Sequence, residues 1–414
     1  MSARAGRIVA LFAGLAAAGV AIAGGPLAVR TNGAAYLWNT ATAIQYRTDN
    51  GPLSASVTES AARSRVQAMF AVWQNVASAS IAYNRTGSIS SVAGFSGGDV
   101  NTAAEFDAVD GDCANGNQSP IVYDADATIF RALGVDETSI IGFAAPCALD
   151  PAQGRILTGE AVMNGLFQDG AANPVPDLTA AEFDATFVHE FGHFSGLDHS
   201  QVNVECATAF CGADDLAGLP TMFPFLVTAQ QGTLSIDDVA SISRLYPAGG
   251  GNGFNATHGT VTGIVYFSDG ESHAQLVNVV ARRVDNGGTA ANESRTTAAS
   301  GVSGNSVRVF NGNPINEPDD MVFGPFGSQD AADIGRYEIS LPPGDYMIVV
   351  ESIDPNFTGG SSVGGGGGGD PRFDMPGSAP APLGPITVTA GQTSTGNDVI
   401  LIGTPPRFDA FEGP

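Results

Sequence analysis

The polarity pattern of residues 58–76 predicts the first long helix of the chain. Four apolar residues recur there at the three- and four-residue spacing of one helical face: Val66, Met69, Trp73 and Val76. Thr58 stands just before this run and is a suitable N-cap, because its hydroxyl can accept a hydrogen bond from the first helical turn. The next residues, 79–84, are interpreted as a short strand.

A second helix is predicted to end near residue 194. Thr179 and Glu182 have the spacing of a capping box, and no glycine follows them before Gly192. At about 100° per residue, the phenylalanines of this segment fall on one narrow stripe. We expect this stripe to face the core: Phe183, Phe187, Phe191 and Phe194.

Two apolar segments, 119–126 and 156–165, are predicted to be strands. Residues 86–120 are rich in glycine, serine, asparagine and aspartate, and this composition predicts a loop. Aspartates within it could ligate calcium, a cation that prefers oxygen ligands: Asp107, Asp110 and Asp112. A solvated acidic loop without a bound cation is the alternative, and the sequence leaves both open.

A short helix is predicted to close the first half of the chain. Ser235 can cap it, and Asp237 and Asp238 suit the positive end of its dipole. Pro247 stops it, because proline cannot continue a helix. The glycine-rich stretch that follows, 248–257, is predicted to be a linker.

Beyond residue 258 the helical spacing gives way to short segments in which apolar and polar residues alternate. Two successive segments place six residues on one side in this way: Tyr337, Ile339, Leu341, Tyr346, Ile348 and Val350. The pattern predicts an all-β sandwich over residues 258–403, followed by a tail, 404–414. The glycine run at 361–373 is interpreted as a loop of low complexity.

Composition limits the classes of function. The chain has 414 residues, 43% of them hydrophobic, which is enough for two domains with substantial cores. Its formal net charge is −25, and it contains no lysine. Such an acidic chain is a poor partner for nucleic acid or for an anionic membrane surface, so we predict neither. We expect a monomer.

The N-terminus has the pattern of an export signal. Arg4 and Arg7 precede an apolar run, and Ala21 and Ala23 form a small-residue cleavage site. The run falls short of the roughly 20 residues that a spanning helix needs. We therefore predict a signal peptide, 1–23, and a secreted protein without a membrane anchor; the periplasm stays open as the alternative to the extracellular space.

An exported chain meets oxidising conditions, in which cysteines pair. The four cysteines allow three pairings, and we favour two disulfides: Cys113 with Cys147, and Cys206 with Cys211. A metal site made of these cysteines is disfavoured, because their spacing matches no zinc-ribbon pattern.

Residues 189–200, HEFGHFSGLDHS, contain three of the five histidines of the chain. His189 and His193 are four residues apart on the predicted helix, so their imidazoles lie side by side and away from the phenylalanine stripe. Gly196 stands where a left-handed turn would end the helix and bring His199 back toward them. Three converging imidazoles are the protein ligands of a catalytic zinc site. The other two histidines, His258 and His273, are expected at the surface.

Glu190 is next to the first predicted ligand, where it can hydrogen-bond a water molecule and serve as general base. The motif resembles the zinc-binding consensus of the metzincin metallopeptidases, and Ser200 after the third histidine is similar to the matrixin branch. Met222, in the segment LPTMFPF, resembles the Met-turn of that clan, which has a structural role. The resemblance implies an α+β catalytic domain over residues 24–247, with a twisted mixed sheet, an active-site helix and catalytic zinc.

The segments GRYEISLPPGDY and TVTAGQT resemble a carboxypeptidase-regulatory or transthyretin-like β-sandwich, which implies an accessory role. We predict a secreted zinc endopeptidase that acts on proteins or peptides. Residues 159–165 are the hypothetical edge strand for an extended substrate, and 219–226 the wall of an apolar specificity pocket. Two alternatives stay open: an inactive zinc-containing binding or adhesion protein, and a β-sandwich ligand-binding module with an accessory protease domain.

Overall fold

The computed structural model describes most of the chain between residues 26 and 403. The described residues are 26–28, 35–203, 206, 212–274, 277–284, 296–303, 335–351 and 379–403. Three predicted features lie outside the described residues: the signal peptide 1–23, the glycine run 361–373 and the tail 404–414. No helix among the described residues is both long enough and apolar enough to cross a membrane.

Helices and strands are mixed in the first half of the described chain, whereas strands dominate the second half. The helices are α1 (Glu59–Gln74), α2 (Ala103–Ala114), α3 (Thr128–Leu133), α4 (Ala180–Phe194), α5 (Ala213–Ala217), α6 (Ile236–Leu245) and α7 (Phe254–Thr257). The first strands are β1 (Leu37–Trp38), β2 (Ile44–Thr48), β3 (Tyr83–Ser88), β4 (Pro120–Asp124), β5 (Gly142–Asp150) and β6 (Arg155–Asn164). The later strands are β7 (Gly259–Tyr266), β8 (Asn278–Arg283), β9 (Ala298–Val302), β10 (Arg336–Leu341), β11 (Gly344–Glu351), β12 (Leu383–Val388), β13 (Thr393–Ser394) and β14 (Val399–Ile400).

The first six strands form one mixed sheet in the order β1-β6-β4-β2-β3, with β5 beside β6. Every pairing in this sheet is parallel except that of β5 with β6. Since β6 has partners on both sides, the prediction that residues 159–165 form a substrate-binding edge is wrong. Among the described residues β5 pairs with β6 alone, so β5 is one open edge of the sheet, and β3 is the other.

Helix α4 packs against this sheet and against α1 through its phenylalanine stripe, as predicted. All four phenylalanines are fully buried, and Phe191 stacks on Phe70 of α1 with ring centroids 3.7 Å apart. The Trp73 indole of α1 donates to the Val188 carbonyl of α4 at 2.8 Å. Each buried phenylalanine contributes roughly 1.5–3 kcal/mol, so this interface holds α4 firmly in place.

The predicted loop 86–120 is wrong in its central part, because residues 103–114 form α2. Thr102 caps this helix by accepting a hydrogen bond from the Glu105 N–H. Phe106, Val109 and Cys113 are buried along one face. The many polar residues around these three concealed the helical spacing in the composition of the segment.

Helix α2 covers the sheet face opposite to α4. On β6, the Thr158 hydroxyl donates to the Cys113 carbonyl of α2, whereas a Cβ on the next residue, Gly159, would lie 3.3 Å from Phe194 of α4. The predicted disulfide between Cys113 and Cys147 is confirmed, and it joins α2 to the edge strand β5. Cys206 is also disulfide-bonded, but Cys211, its predicted partner, lies outside the described residues.

The later strands form two four-stranded sheets, one built around β7 with β10, β13 and β14, the other in the order β12-β11-β8-β9. The six residues predicted to alternate toward one core are all buried in a single apolar cluster: Tyr337, Ile339, Leu341, Tyr346, Ile348 and Val350. The predicted linker 248–257 contains a 3-10 turn and α7. His258 is buried and stacks on Phe254, so its predicted exposure is wrong.

Candidate active site

The predicted histidines converge because of how α4 begins and ends. The capping box of Thr179 and Glu182 is present at its N-terminus, as predicted. At the other end Gly196 adopts φ +90°, and its N–H donates to the His193 carbonyl while the Leu197 N–H donates to that of Gly192. These two bonds form a Schellman motif, which reverses the chain. The reversal returns His199 to the two histidines on α4.

The three side chains, called the histidine group below, present their Nε2 atoms to one point. Nε2 of His193 lies 3.0 Å from Nε2 of His189 and 3.0 Å from Nε2 of His199. The Nδ1–H of His189 donates to the Thr221 carbonyl and that of His193 to the Leu197 carbonyl, each at 2.8 Å. These bonds leave both Nε2 atoms without a proton, so their lone pairs face each other, an arrangement that a cation bound between them would stabilise. The group therefore fits a zinc ion, which tetrahedral nitrogen ligands surround at about 3.3 Å from one another.

Burial keeps these imidazoles neutral, the form that binds metal. It lowers the pKa of His189 to about 4 and that of His193 to about 3. The pKa of His199 is also lowered well below its ordinary value, by burial first and by the other two histidines second. At neutral pH the group needs no deprotonation before it binds a cation.

Glu190 is buried beside the histidine group, under the edge strand. Burial raises the pKa of its carboxyl to about 8, and the Ala144 N–H of β5 opposes this by donating to it. A Cβ on Gly142 would lie 3.2 Å from Cγ of Glu190, so β5 passes directly over this side chain. A cation held by the histidine group would favour the carboxylate form. Glu190 is thus an acid–base group between a metal position and an open strand edge.

Met222 packs against α4 at Gly192. A Cβ on Gly192 would lie 2.2 Å from its sulfur, so glycine is required for this close approach. The Met222 carbonyl accepts from the Ser200 N–H at 2.8 Å. Met222 therefore connects the helix to the segment that follows the third histidine.

Sequence reasoning missed the residue that fixes the Met222 turn. Asp238 was assigned to the helix dipole of α6, but its buried carboxylate also accepts from the N–H groups of Thr221 and Met222, at 2.9 and 3.0 Å. Since the Thr221 carbonyl holds His189, Asp238 acts on that histidine through one residue. Two adjacent aspartates in one helical turn were the only signal, and the charge pattern alone does not reveal burial.

The end of α4 is held by aromatic side chains that the sequence did not single out. The Trp38 indole donates to the Phe194 carbonyl at 2.8 Å, and the Tyr246 hydroxyl donates to that of Ser195 at 2.6 Å. Carbonyls of the last helical turn have no partner within the helix, so these bonds satisfy them. They also fix where the chain reverses toward His199.

The candidate calcium ligands do not converge. Asp107, Asp110 and Asp112 lie on α2, and the carboxylate of Asp112 accepts from Asn117 and Gln118. Asp110 is hydrogen-bonded to Glu160 on the far face of the sheet. Among the described residues, the only other group near enough to share a metal is Cys113, Cys147 and Glu160, whose cysteines are joined in the disulfide. This arrangement gives no support to a calcium site.

Comparison with known proteins agrees with this geometry. The family model described as matrixin, a peptidase family, matches residues 37–247, which is half of the chain and includes the sheet, α4 and α6. No curated protein matches the chain. The match ends where the glycine-rich stretch begins, so it does not extend to the later strands.

Proposed function

This chain belongs to the matrixin family, and on that premise we propose that it is a secreted zinc-dependent endopeptidase. The family implies a metallopeptidase of α+β fold, and the mixed sheet with its helices is consistent with that fold. The observation that carries the proposal is the histidine group, whose lone pairs converge beside the buried carboxyl of Glu190.

His189, His193 and His199 would hold the zinc through their Nε2 atoms. Bound there, zinc supplies Lewis-acid activation of a water molecule and of the peptide carbonyl. The carbonyls of Thr221 and Leu197 hold two of the imidazoles in the metal-binding tautomer. Met222 has no part in the chemistry and serves as an apolar floor.

Glu190 would act as general base and then as general acid. Its carboxylate takes a proton from the attacking water and returns it to the departing amine nitrogen. The Ala144 N–H orients the carboxylate, and burial under β5 excludes bulk water from it. A base in this position favours catalysis over the inactive binding protein that the sequence left open.

The substrate would be an extended peptide that adds to the open edge of β5. Main-chain groups on an unpaired edge recognise an extended chain regardless of its side chains, which suits an endopeptidase. Phe225, 46% exposed, lies within the segment 219–226 that was predicted to line the specificity pocket. A peptide N-methylated at the residues beside the cleaved bond should be cut at least about tenfold more slowly; equal rates would refute this role of β5.

Export, the removal of residues 1–23, the monomeric state and the domain limits 24–247 and 258–403 stay part of the proposal. N-terminal sequencing of the protein recovered from the culture medium and from the periplasm tests the first two. Sedimentation of the purified protein tests the third.

Hydrolysis of unfolded casein by wild-type protein and by Glu190→Ala, with zinc measured in both, tests the proposed reaction. Activity in the wild type alone, at equal zinc content, is the expected result. If both proteins hold zinc and neither cuts casein, the binding-protein alternative gains support. A wild type that holds no zinc would refute the role of the histidine group.

A further inference from the structure

The loop 200–203, directly after the third histidine, is bonded to the C-terminal strands. The Asn278 amide of β8 donates to the Gln201 carbonyl at 2.9 Å. The Arg282 guanidinium, also on β8, donates to Oδ1 of Asn203 at 3.0 Å. This loop belongs to no helix or strand, so it lacks their regular backbone hydrogen bonds, and these side-chain hydrogen bonds hold it instead.

Both contacts are buried, which makes them sensitive to the fit between the two parts of the chain. Asn278, Arg282 and Asn203 are all 0% exposed. A buried guanidinium is costly unless it is paired, and Arg282 pairs with Glu351 of β11 on its other side. Arg282 therefore connects the C-terminal sheet to Asn203 without leaving its charge unbalanced.

An apolar contact and a further hydrogen bond lie at the same junction. Val202 packs with Val280 of β8 and Ala298 of β9 in one buried cluster. The Ser300 N–H of β9 donates to Asp237 on α6 at 2.9 Å, and the other oxygen of Asp237 accepts from the Ser200 hydroxyl at 2.6 Å. Asp237 thus connects β9 to the residue that follows His199.

We propose that β8 and β9 hold the loop 200–203 in place and thereby position His199, so that the C-terminal strands form part of the support of the metal site. The positioning residues are Asn278 and Asn203. Arg282 and Asp237 make the other hydrogen bonds that join the loop 200–203 to β8 and β9. This inference rests on the proposed zinc function. It replaces the purely accessory role that the sequence suggested for the C-terminal strands.

Two variants break the junction from opposite sides. Asn278→Ala removes the donor to Gln201. Asn203→Gly removes the acceptor of Arg282 and also the amide that donates to the Asp215 carbonyl at 3.1 Å. Glycine tolerates the left-handed conformation of this residue, φ +54°, without strain. Asn397→Ala is the matched control, because that amide donates to the Thr262 carbonyl within the C-terminal strands.

Zinc affinity by chelator competition, the visible spectrum of the cobalt-substituted protein and the melting temperature are measured on all four proteins. Asn278→Ala and Asn203→Gly should each bind zinc about tenfold more weakly, the lower end of the loss that changes behind a ligand cause. Their cobalt spectra should shift, and kcat should fall while KM stays near the wild-type value. Asn397→Ala should keep the wild-type affinity and spectrum.

Wild-type zinc affinity and cobalt spectra in both folded junction variants would overturn the positioning role while leaving the proposed function intact. Equal losses in Asn397→Ala would also overturn it, because the effect would then be general destabilisation. Should Asn278→Ala fail to fold, Asn203→Gly alone decides, since its change lies outside the C-terminal strands. A wild type that binds no zinc would refute the proposed function, and this inference with it.

Discussion

Two glutamates, Glu190 and Glu160, are buried to nearly the same degree on opposite faces of one sheet, at 6% and 5% exposure. Burial is the first cause of a raised pKa in both: to about 8 for Glu190, and well above the ordinary value for Glu160. Burial and a raised pKa therefore do not separate the proposed catalytic carboxyl, Glu190, from the structural one, Glu160. The separation comes from what surrounds each side chain.

Glu190 lies beside the histidine group, below the open edge of β5. Glu160 is instead hydrogen-bonded to Asp110 of α2, and the two are called the acid pair below. A hydrogen bond between two carboxyls needs a shared proton, so the acid pair is complete in itself. The disulfide next to it closes that face of the sheet. Glu190 is therefore next to a candidate metal site, whereas Glu160 is bonded to another carboxyl.

The largest expected effect separates the two glutamates by activity. Glu190→Gln should lower kcat for peptide hydrolysis by about 10²- to 10⁴-fold, because the amide cannot accept the proton of water. Glu160→Gln, the matched control, should keep kcat within about twofold, because its side chain lies behind the sheet. Steady-state kinetics at equal zinc content measure both. Comparable losses in the two variants would mean that the comparison is mistaken.

The second effect concerns the disulfide on the sheet face that carries the acid pair. Replacing Cys113 and Cys147 together by serine opens a loop whose ends are 34 residues apart in sequence. Such a closure contributes about 3 to 4 kcal/mol to the free energy of unfolding, mainly by restricting the unfolded chain. Denaturant unfolding of the double variant and the oxidised wild type measures this. An unchanged midpoint would show that the packing of α2 alone holds that face.

The third effect compares two helical glycines, one for each face. Gly192→Ala should destabilise the fold by about 1–3 kcal/mol, because its Cβ would collide with Met222 and with the Trp73 ring. Gly111→Ala on α2 should be stabilising by about 0.5–1 kcal/mol, since nothing lies within 4 Å of its Cβ and alanine is the better helix former. Thermal unfolding distinguishes them. An unchanged or higher melting temperature of Gly192→Ala would contradict the packing described for Met222.

The features predicted correctly from the sequence are those set by nearby residues. The phenylalanine stripe, the capping box at Thr179 and the turn at Gly196 each depend on spacing within a few positions. The convergence of His199 with His189 and His193 follows from that turn, so the candidate site could be predicted from the sequence without knowledge of the fold. Oxidising conditions and an even number of cysteines predicted disulfides in general, and the pairing of Cys113 with Cys147 was favoured among three possible pairings.

The features that were missed depend on partners distant in sequence. Whether β5 or β6 is the edge is decided by strand pairing, which the polarity of residues 159–165 does not encode. The second role of Asp238 depends on a turn 16 residues away. The contact of Arg282 with Asn203 spans 79 residues and joins two parts of the chain that look independent in sequence. Helix α2 was hidden by its polar composition alone.

The smallest expected effect is a pH dependence of stability that comes from the acid pair. Burial, and Asp110 after it, raise the pKa of Glu160 above its ordinary value of 4.5, so the folded state holds this proton more tightly than the unfolded state. The stability that this proton contributes is complete below about pH 4.5 and is lost as the pH rises toward the folded pKa, by at most about 1.4 kcal/mol per pH unit. The glutamine of Glu160→Gln cannot ionise. The free energy of unfolding of this variant should therefore rise relative to that of the wild type between pH 5 and pH 8.

Urea unfolding of the zinc-loaded wild type and of Glu160→Gln at pH 5, 6.5 and 8 measures this difference. The side-chain amide of the glutamine can still donate to Asp110 in place of the shared proton. The difference in the free energy of unfolding between the two proteins should therefore be smallest at low pH and grow as the pH rises. Asp110 loses its like-charged neighbour in the variant, which acts in the same direction. The same pH dependence of the free energy of unfolding in both proteins would mean that the acid pair shares no proton. The two glutamates would then differ only in their distance from the histidine group.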